Sequence, residues 1–137
     1  MTLVDTNVVI DVFDRDAAWY DWSLDRLAAA GVDGACVNIM VVAELSRNFE
    51  HVAALTNKLG QMSLTVEPMD ERSAFLAGKR FQQFRRERTG AEDARVLPDF
   101  LIGAHALTLD VPLLTRDPRL YRRYFPELTL ITPDTHP

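Results

Sequence analysis

Five short apolar runs alternate with stretches of helical periodicity, and this alternation limits the fold more than any other feature of the chain. The runs lie at 2–4, 35–37, 64–66, 113–114 and 128–131. Between them, helices are predicted at 8–13, at 17–30 with a stop at Gly31, and from an Asn38 cap through Val41, Val42, Leu45 and Phe49. Further helices are predicted at 51–59, from an Asp70 cap to about Arg88, at 99–109 and at 119–124, while 91–97 reads as a loop. Strands that alternate with helices imply a parallel sheet with helices on both faces. No linker, repeat or low-complexity stretch interrupts the pattern, and 137 residues suit one core, so a single domain over 1–137 is expected.

Side-chain periodicity suggests what each helix buries. Tyr20, Leu24 and Leu27 form one stripe; Ala74, Ala77, Phe81 and Phe84 form another. The helix at 99–109 is apolar nearly all round, which is the signature of a buried helix. Trp19 and Trp22 lie off the first stripe. They suit packing beneath a neighbouring helix or, as tryptophan is enriched at interface hot spots, a partner-binding surface.

Composition excludes several classes. No apolar run is long enough to cross a bilayer, and no basic stretch followed by an apolar one opens the chain. The lone Cys36 excludes an internal disulfide and a cysteine-cluster metal site, and its apolar neighbours suit a buried thiol. Together these point to the cytoplasm. The net charge is −5, but it is unevenly spread. Residues 1–71 carry 12 acids and 4 bases, and residues 72–137 carry 8 acids and 11 bases. A basic half of this kind hints at a polyanion-binding face, although solvated helix faces give the same pattern.

Four acids stand near element ends: Asp5, Glu44, Asp99 and Asp117. Each has a structural alternative. Asp5 suits a helix cap, Glu44 a solvated helix position, Asp99 the first turn of a helix where a carboxylate complements the dipole, and Asp117 a turn before Pro118. Asp5 and Asp117, however, follow two different strands, so both emerge at the same end of a parallel sheet, where ligands bind. Neighbouring strands are about 4.8 Å apart, within reach of side-chain contact. If the four acids meet, their repulsion is large, about 4 kcal/mol per pair at 4 Å and an effective dielectric near 20. A divalent cation relieves it, and an all-oxygen set suits Mg2+ or Mn2+ rather than zinc. His51, His105 and His136 show no metal-binding spacing, and His105 suits a satisfied core histidine.

Four segments carry a family resemblance. Val-Asp-Thr-Asn-Val at 4–8, Val-Ala-Glu-Leu at 42–45, Leu-Pro-Asp-Phe-Leu-Ile-Gly-Ala-His-Ala at 97–106 and Leu-Leu-Thr-Arg-Asp at 113–117 resemble the motifs of PIN-domain nucleases, in order and over essentially the whole length. The chain resembles most closely the VapC toxins of bacterial type II toxin–antitoxin systems. The resemblance implies a three-layer α/β/α domain around a mainly parallel sheet. It also implies an acidic cluster of Asp5, Glu44, Asp99 and Asp117, and Mg2+- or Mn2+-dependent hydrolysis of RNA to a 5′-phosphate and a 3′-hydroxyl. Thr6, Asn7 and Thr115 would be supporting polar residues. Arg85, Arg86, Arg88, Arg116, Arg119, Arg122 and Arg123 are candidates for the RNA phosphates. A cognate antitoxin and a homodimer are the implied partners. Alternatives are a housekeeping PIN ribonuclease that processes RNA and, more remotely, a phosphatase with an aspartyl nucleophile. The phosphatase reading is weakened because a second acid is usual two residues after the first, and here that position is Asn7.

Overall fold

A computed structural model describes residues 1–87 and 93–137; the predicted phosphate contact Arg88 lies outside them. Five strands form one sheet: β1 (Thr2–Val4), β2 (Ala35–Asn38), β3 (Leu64–Glu67), β4 (Leu113–Leu114) and β5 (Leu130–Ile131). The helices are α1 (Thr6–Phe13), α2 (Tyr20–Asp33), α3 (Ile39–Leu45), α4 (Val52–Gln61), α5 (Glu71–Glu87), α6 (Asp93–Leu109) and α7 (Arg119–Tyr124). A 3-10 turn, Ser46–Asn48, extends α3.

The sheet order is β3-β2-β1-β4-β5 and every pairing is parallel. The chain steps outward from β1 to β3, then crosses back to β4 on the other side of β1. Right-handed crossovers therefore put α1–α4 on one face and α5–α7 on the other, giving three layers. The reversal makes the β1/β4 boundary a topological switch point, the place where an open α/β sheet forms its crevice.

Two strands run directly into helices because a capping residue follows the apolar run. The Asp5 carboxylate accepts the Thr6 N–H at 2.7 Å, and the Asn38 side-chain oxygen Oδ1 accepts the N–H groups of Met40 and Val41 at 3.0 and 3.2 Å. Asp70 caps α5 in the same way, through the Ser73 N–H. Leu3, Val4, Cys36, Val37, Leu113 and Leu114 are wholly buried in the sheet. Phe81, Phe84, Phe100, Tyr124 and Phe125 form a connected aromatic cluster that joins α5, α6 and the end of α7.

Several boundaries differ from expectation, for local reasons. The segment read as a loop at 91–97 is helical from Asp93, and α6 runs straight through Pro98. Asp99 is thus well inside the helix rather than in its first turn. Helix α2 runs past Gly31 to Asp33, and the chain turns instead at Gly34, whose φ of 98° suits glycine. The buried stripe of α2 is Ser23, Leu27 and Ala30, so Leu24 is exposed. Ser23 is inside because its hydroxyl serves a buried acid, Asp11, at 2.8 Å. On α5 Ser73 takes the buried place expected of Ala74, which is exposed. Among the described residues no helix is long and apolar enough to cross a membrane.

Candidate active site

The register Leu3↔Leu113 and Val4↔Leu114 places Asp5 beside Thr115 just past the ends of adjacent strands. Both residues are buried. Asp5 Oδ1 accepts the Thr6 N–H at 2.7 Å. Its Oδ2 accepts the Thr115 hydroxyl at 2.9 Å and the Tyr121 hydroxyl at 3.0 Å, with the Asn7 amide farther off at 3.5 Å. Thr115 Oγ1 in turn accepts from Asn7 Nδ2 and from the Asp117 N–H, each at 3.2 Å. Burial pushes the Asp5 carboxyl up to about 6; the Thr115, Tyr121 and Thr6 donors oppose this, and the Glu44 charge adds to it.

The other acids arrive from different elements. Glu44 projects from α3, and its Oε1 accepts the Thr6 hydroxyl at 2.7 Å, which ties it to the residue next to Asp5. Asp99, half-buried on α6, has its carboxyl raised to about 7 by burial first, then by the negative charges of Asp5, Glu44 and Asp117. Asp117 behaves differently. It is exposed at the rim, and Arg119 grips both its oxygens at 3.0 and 3.2 Å, which lowers its pKa.

Asp99 thus feels all three other acids, but what they share is charge rather than contact. Among the described residues no group of three or more histidine, cysteine, aspartate or glutamate side chains is gathered tightly enough to hold a metal ion. The donor chemistry nonetheless fits a hard divalent cation. The set is all oxygen, it is mutually repulsive, and two of its members have carboxyls raised by burial and then by neighbouring negative charge, which a cation would offset.

The arginines divide by location. Arg116 points inward: its Nε lies 2.8 Å from Oδ2 of the fully buried Asp11, and its guanidinium stands over the Trp19 ring. The Arg116 side chain is 30% exposed, and the pairing commits its guanidinium to Asp11. Arg119, Arg122 and Arg123 lie at the surface, paired with Asp117, Asp134 and Glu87 respectively. Arg85 and Arg86 fall in the last turns of α5. The two tryptophans meet edge to face at 6.1 Å; Trp19 carries Arg116, and Trp22 Nε1 donates to the His136 carbonyl at 2.7 Å. They pack against each other and the C-terminal segment, and Trp22 also packs on the hydrophobic core.

One contact escapes sequence reasoning, and another gives the expected core histidine its partner. Tyr121 lies 116 residues from Asp5 and reaches it from α7. Its only signal is a tyrosine on the helix after β4, which does not say where the hydroxyl points. Its complete burial raises its pKa well above the ordinary value, so the hydroxyl stays protonated and donates. His105 is buried and its Nδ1 lies 3.2 Å from Asn38 Nδ2. An amide donates, so Nδ1 accepts and the ring is neutral, as burial also favours. The histidine thereby joins α6 to the cap of α3, the helices that carry Asp99 and Glu44.

Residues 2–126 match the family described as PIN domain. No curated protein matches the sequence. Among solved structures, similar folds occur in VapBC2 from Rickettsia felis bound to a promoter DNA fragment (TM-score 0.68, 18% identity, 96% of this chain and 97% of that chain). Others are DNA-bound VapBC from Salmonella typhimurium (0.68, 20%, 96% and 96%) and FitAcB from Neisseria gonorrhoeae (0.66, 18%, 100% and 100%). At such identities the likeness establishes the fold.

Proposed function

The chain belongs to the PIN-domain family, and from that premise we propose that it is a divalent-metal-dependent endoribonuclease acting as the toxin of a type II toxin–antitoxin pair. The observation that carries the reading is the β1/β4 crevice, where the hydrogen-bonded Asp5 stands within the electrostatic reach of Glu44 and Asp99. The toxin assignment draws support from the motif resemblance to VapC and from the VapBC structures that share the fold.

In this reading Asp5, Glu44, Asp99 and Asp117 would hold Mg2+ or Mn2+. When bound, the ion supplies a more acidic water as nucleophile and offsets charge on the phosphoryl oxygens. The protein's part is positioning. Thr115, Tyr121 and the Thr6 N–H fix the Asp5 carboxylate, and the Thr6 hydroxyl fixes Glu44. Asp117 would join the set by giving up its Arg119 pair, which would free that exposed guanidinium for a phosphate. Arg85, Arg86, Arg122 and Arg123 hold the RNA backbone through its phosphates, so binding weakens with salt. The products are a 5′-phosphate and a 3′-hydroxyl.

A structured RNA panel tests the chemistry. Cleavage is expected with Mg2+, and it should be absent with EDTA and in Asp5→Asn and Asp99→Asn. Undiminished cleavage by both variants overturns the assignment. Growth arrest on expression, relieved by the product of an adjacent gene that co-purifies with the chain as a dimer-containing complex, tests the toxin role. A monomer without growth effect that still cleaves RNA favours the processing nuclease.

A further inference from the structure

We infer that Tyr121 is a positioning residue of this centre, deciding which oxygen of Asp5 faces a cation and how the helix bearing Asp99 sits against it. The inference rests on the function proposed above. Each oxygen of an ionised carboxylate offers about two lone pairs. On Asp5 Oδ2 both are engaged at short range, by Thr115 Oγ1 at 2.9 Å and Tyr121 Oη at 3.0 Å. Among the described residues Oδ1 accepts one short bond, from the Thr6 N–H. Oδ1 is therefore the oxygen with a lone pair to give.

The ring of Tyr121 does a second job. A Cβ built on Gly103 would lie 3.1 Å from Tyr121 Cδ1 and 2.9 Å from Phe125 Cε2. The absent side chain at 103 thus lets α6 rest directly on these two rings. Asp99 is one turn away on the same helix. One buried side chain therefore touches the first acid through its hydroxyl and seats the helix that carries another. Thr115, the other donor to Oδ2, also accepts the Asp117 N–H at 3.2 Å and so ties the first acid to the segment after β4.

Mn2+ titrated into the full chain without RNA, followed by loss of the free-ion EPR signal, tests this. Tyr121→Phe keeps the ring and removes the donor, and should weaken Mn2+ binding about tenfold, the lower end of the loss when a partner orienting a ligand is removed. Tyr124→Phe is the control: its hydroxyl bonds Glu87 at 2.6 Å, and it should bind as the wild type does. Thr115→Val combined with Tyr121→Phe should lose less than the product of the single losses, because both donors serve one oxygen. Gly103→Ala keeps the hydroxyl but presses on the ring, and should weaken Mn2+ binding too, which supplies a readout if Tyr121→Phe folds poorly. Wild-type affinity in folded Tyr121→Phe overturns the positioning role and leaves the nuclease reading standing. Absence of Mn2+ binding by the wild type overturns the metal reading, and this inference with it.

Discussion

Asp5 and Thr115 end adjacent parallel strands, and the threonine hydroxyl donates to Oδ2 of the aspartate at 2.9 Å. The bond spans the switch point of the sheet, so the most deeply held acid of the crevice is oriented by the fold itself. Asp5→Asn is a clean probe of that acid. The asparagine oxygen can still accept the Thr6 N–H, and the Tyr121 hydroxyl can turn to accept from its amide. Folding should survive, while Mg2+-dependent RNA cleavage should drop at least about a hundredfold, the scale seen when one preorganised electrostatic group is lost. Cleavage rates alongside a thermal melt check both halves.

The raised carboxyls give a stability signature with a definite sign. Asp5 and Asp99 titrate near 6 and 7 in the fold, against an ordinary 3.8. Between those limits the native state binds more protons than the unfolded chain, so stability falls as pH rises. Their stabilising protonation is complete below about pH 4 and lost by pH 7 to 8. For Asp5 alone, about two pH units correspond to about 3 kcal/mol. A divalent ion replaces the missing protons, so Mg2+ should raise the melting temperature clearly at pH 8 and little at pH 5. Equal effects of Mg2+ at the two pH values contradict the coupling.

Arg116 and Arg122 offer a contrast between two ion pairs. Asp11 is 1% exposed, and Arg116→Ala leaves its charge buried with the Ser23 hydroxyl as its donor. Breaking a buried pair in this way costs about 3–5 kcal/mol. Denaturant unfolding should show that loss. Arg122→Ala breaks a pair in which both side chains are about half exposed, and it should cost less than about 1 kcal/mol. Its effect should appear instead as a shallower salt dependence of RNA binding.

The sequence disclosed the parts of this site that follow from strand order. An acid directly after a short apolar run must lie at the C-terminal end of a parallel strand, so the place of Asp5 is legible from position alone; Asp117, three residues beyond Leu114, lies past the end of the adjacent strand but at the exposed rim. Asp99 and Glu44 sit inside helices, where periodicity says which face is buried but not what lies opposite; only motif resemblance linked them to Asp5. Periodicity also misplaced Leu24 and Ala74. In both helices a serine takes the buried position because a hydrogen bond compensates its polarity, to Asp11 for Ser23 and to Thr108 for Ser73. The stretch 91–97 reads as a loop, yet α6 begins at Asp93 and runs through Pro98. Tyr121 and the Asp11–Arg116 pair depend on tertiary contacts more than 100 residues apart in the chain, which no local pattern encodes.

Gly103 and Gly78 separate helix propensity from packing. Alanine is worth roughly 1 kcal/mol over glycine inside a helix. Nothing lies within 4 Å of a Cβ at Gly78 on α5, so Gly78→Ala should stabilise the protein by up to about that amount. At Gly103 the new methyl would meet Phe125 at 2.9 and 3.0 Å and Tyr121 at 3.1 Å. Those rings are buried, at 0% and 2% exposure, and Phe125 is packed on Phe100, so they have little room to retreat. Overpacking costs about 1–3 kcal/mol, which should outweigh the propensity gain and lower the melting temperature. Cleavage should fall further than stability does, because the same displacement shifts Tyr121 beneath Asp5 and tilts the helix carrying Asp99. Parallel melts and single-turnover cleavage of the two variants read out both effects, and a Gly103→Ala protein as stable and active as Gly78→Ala contradicts the close seating of α6 on α7.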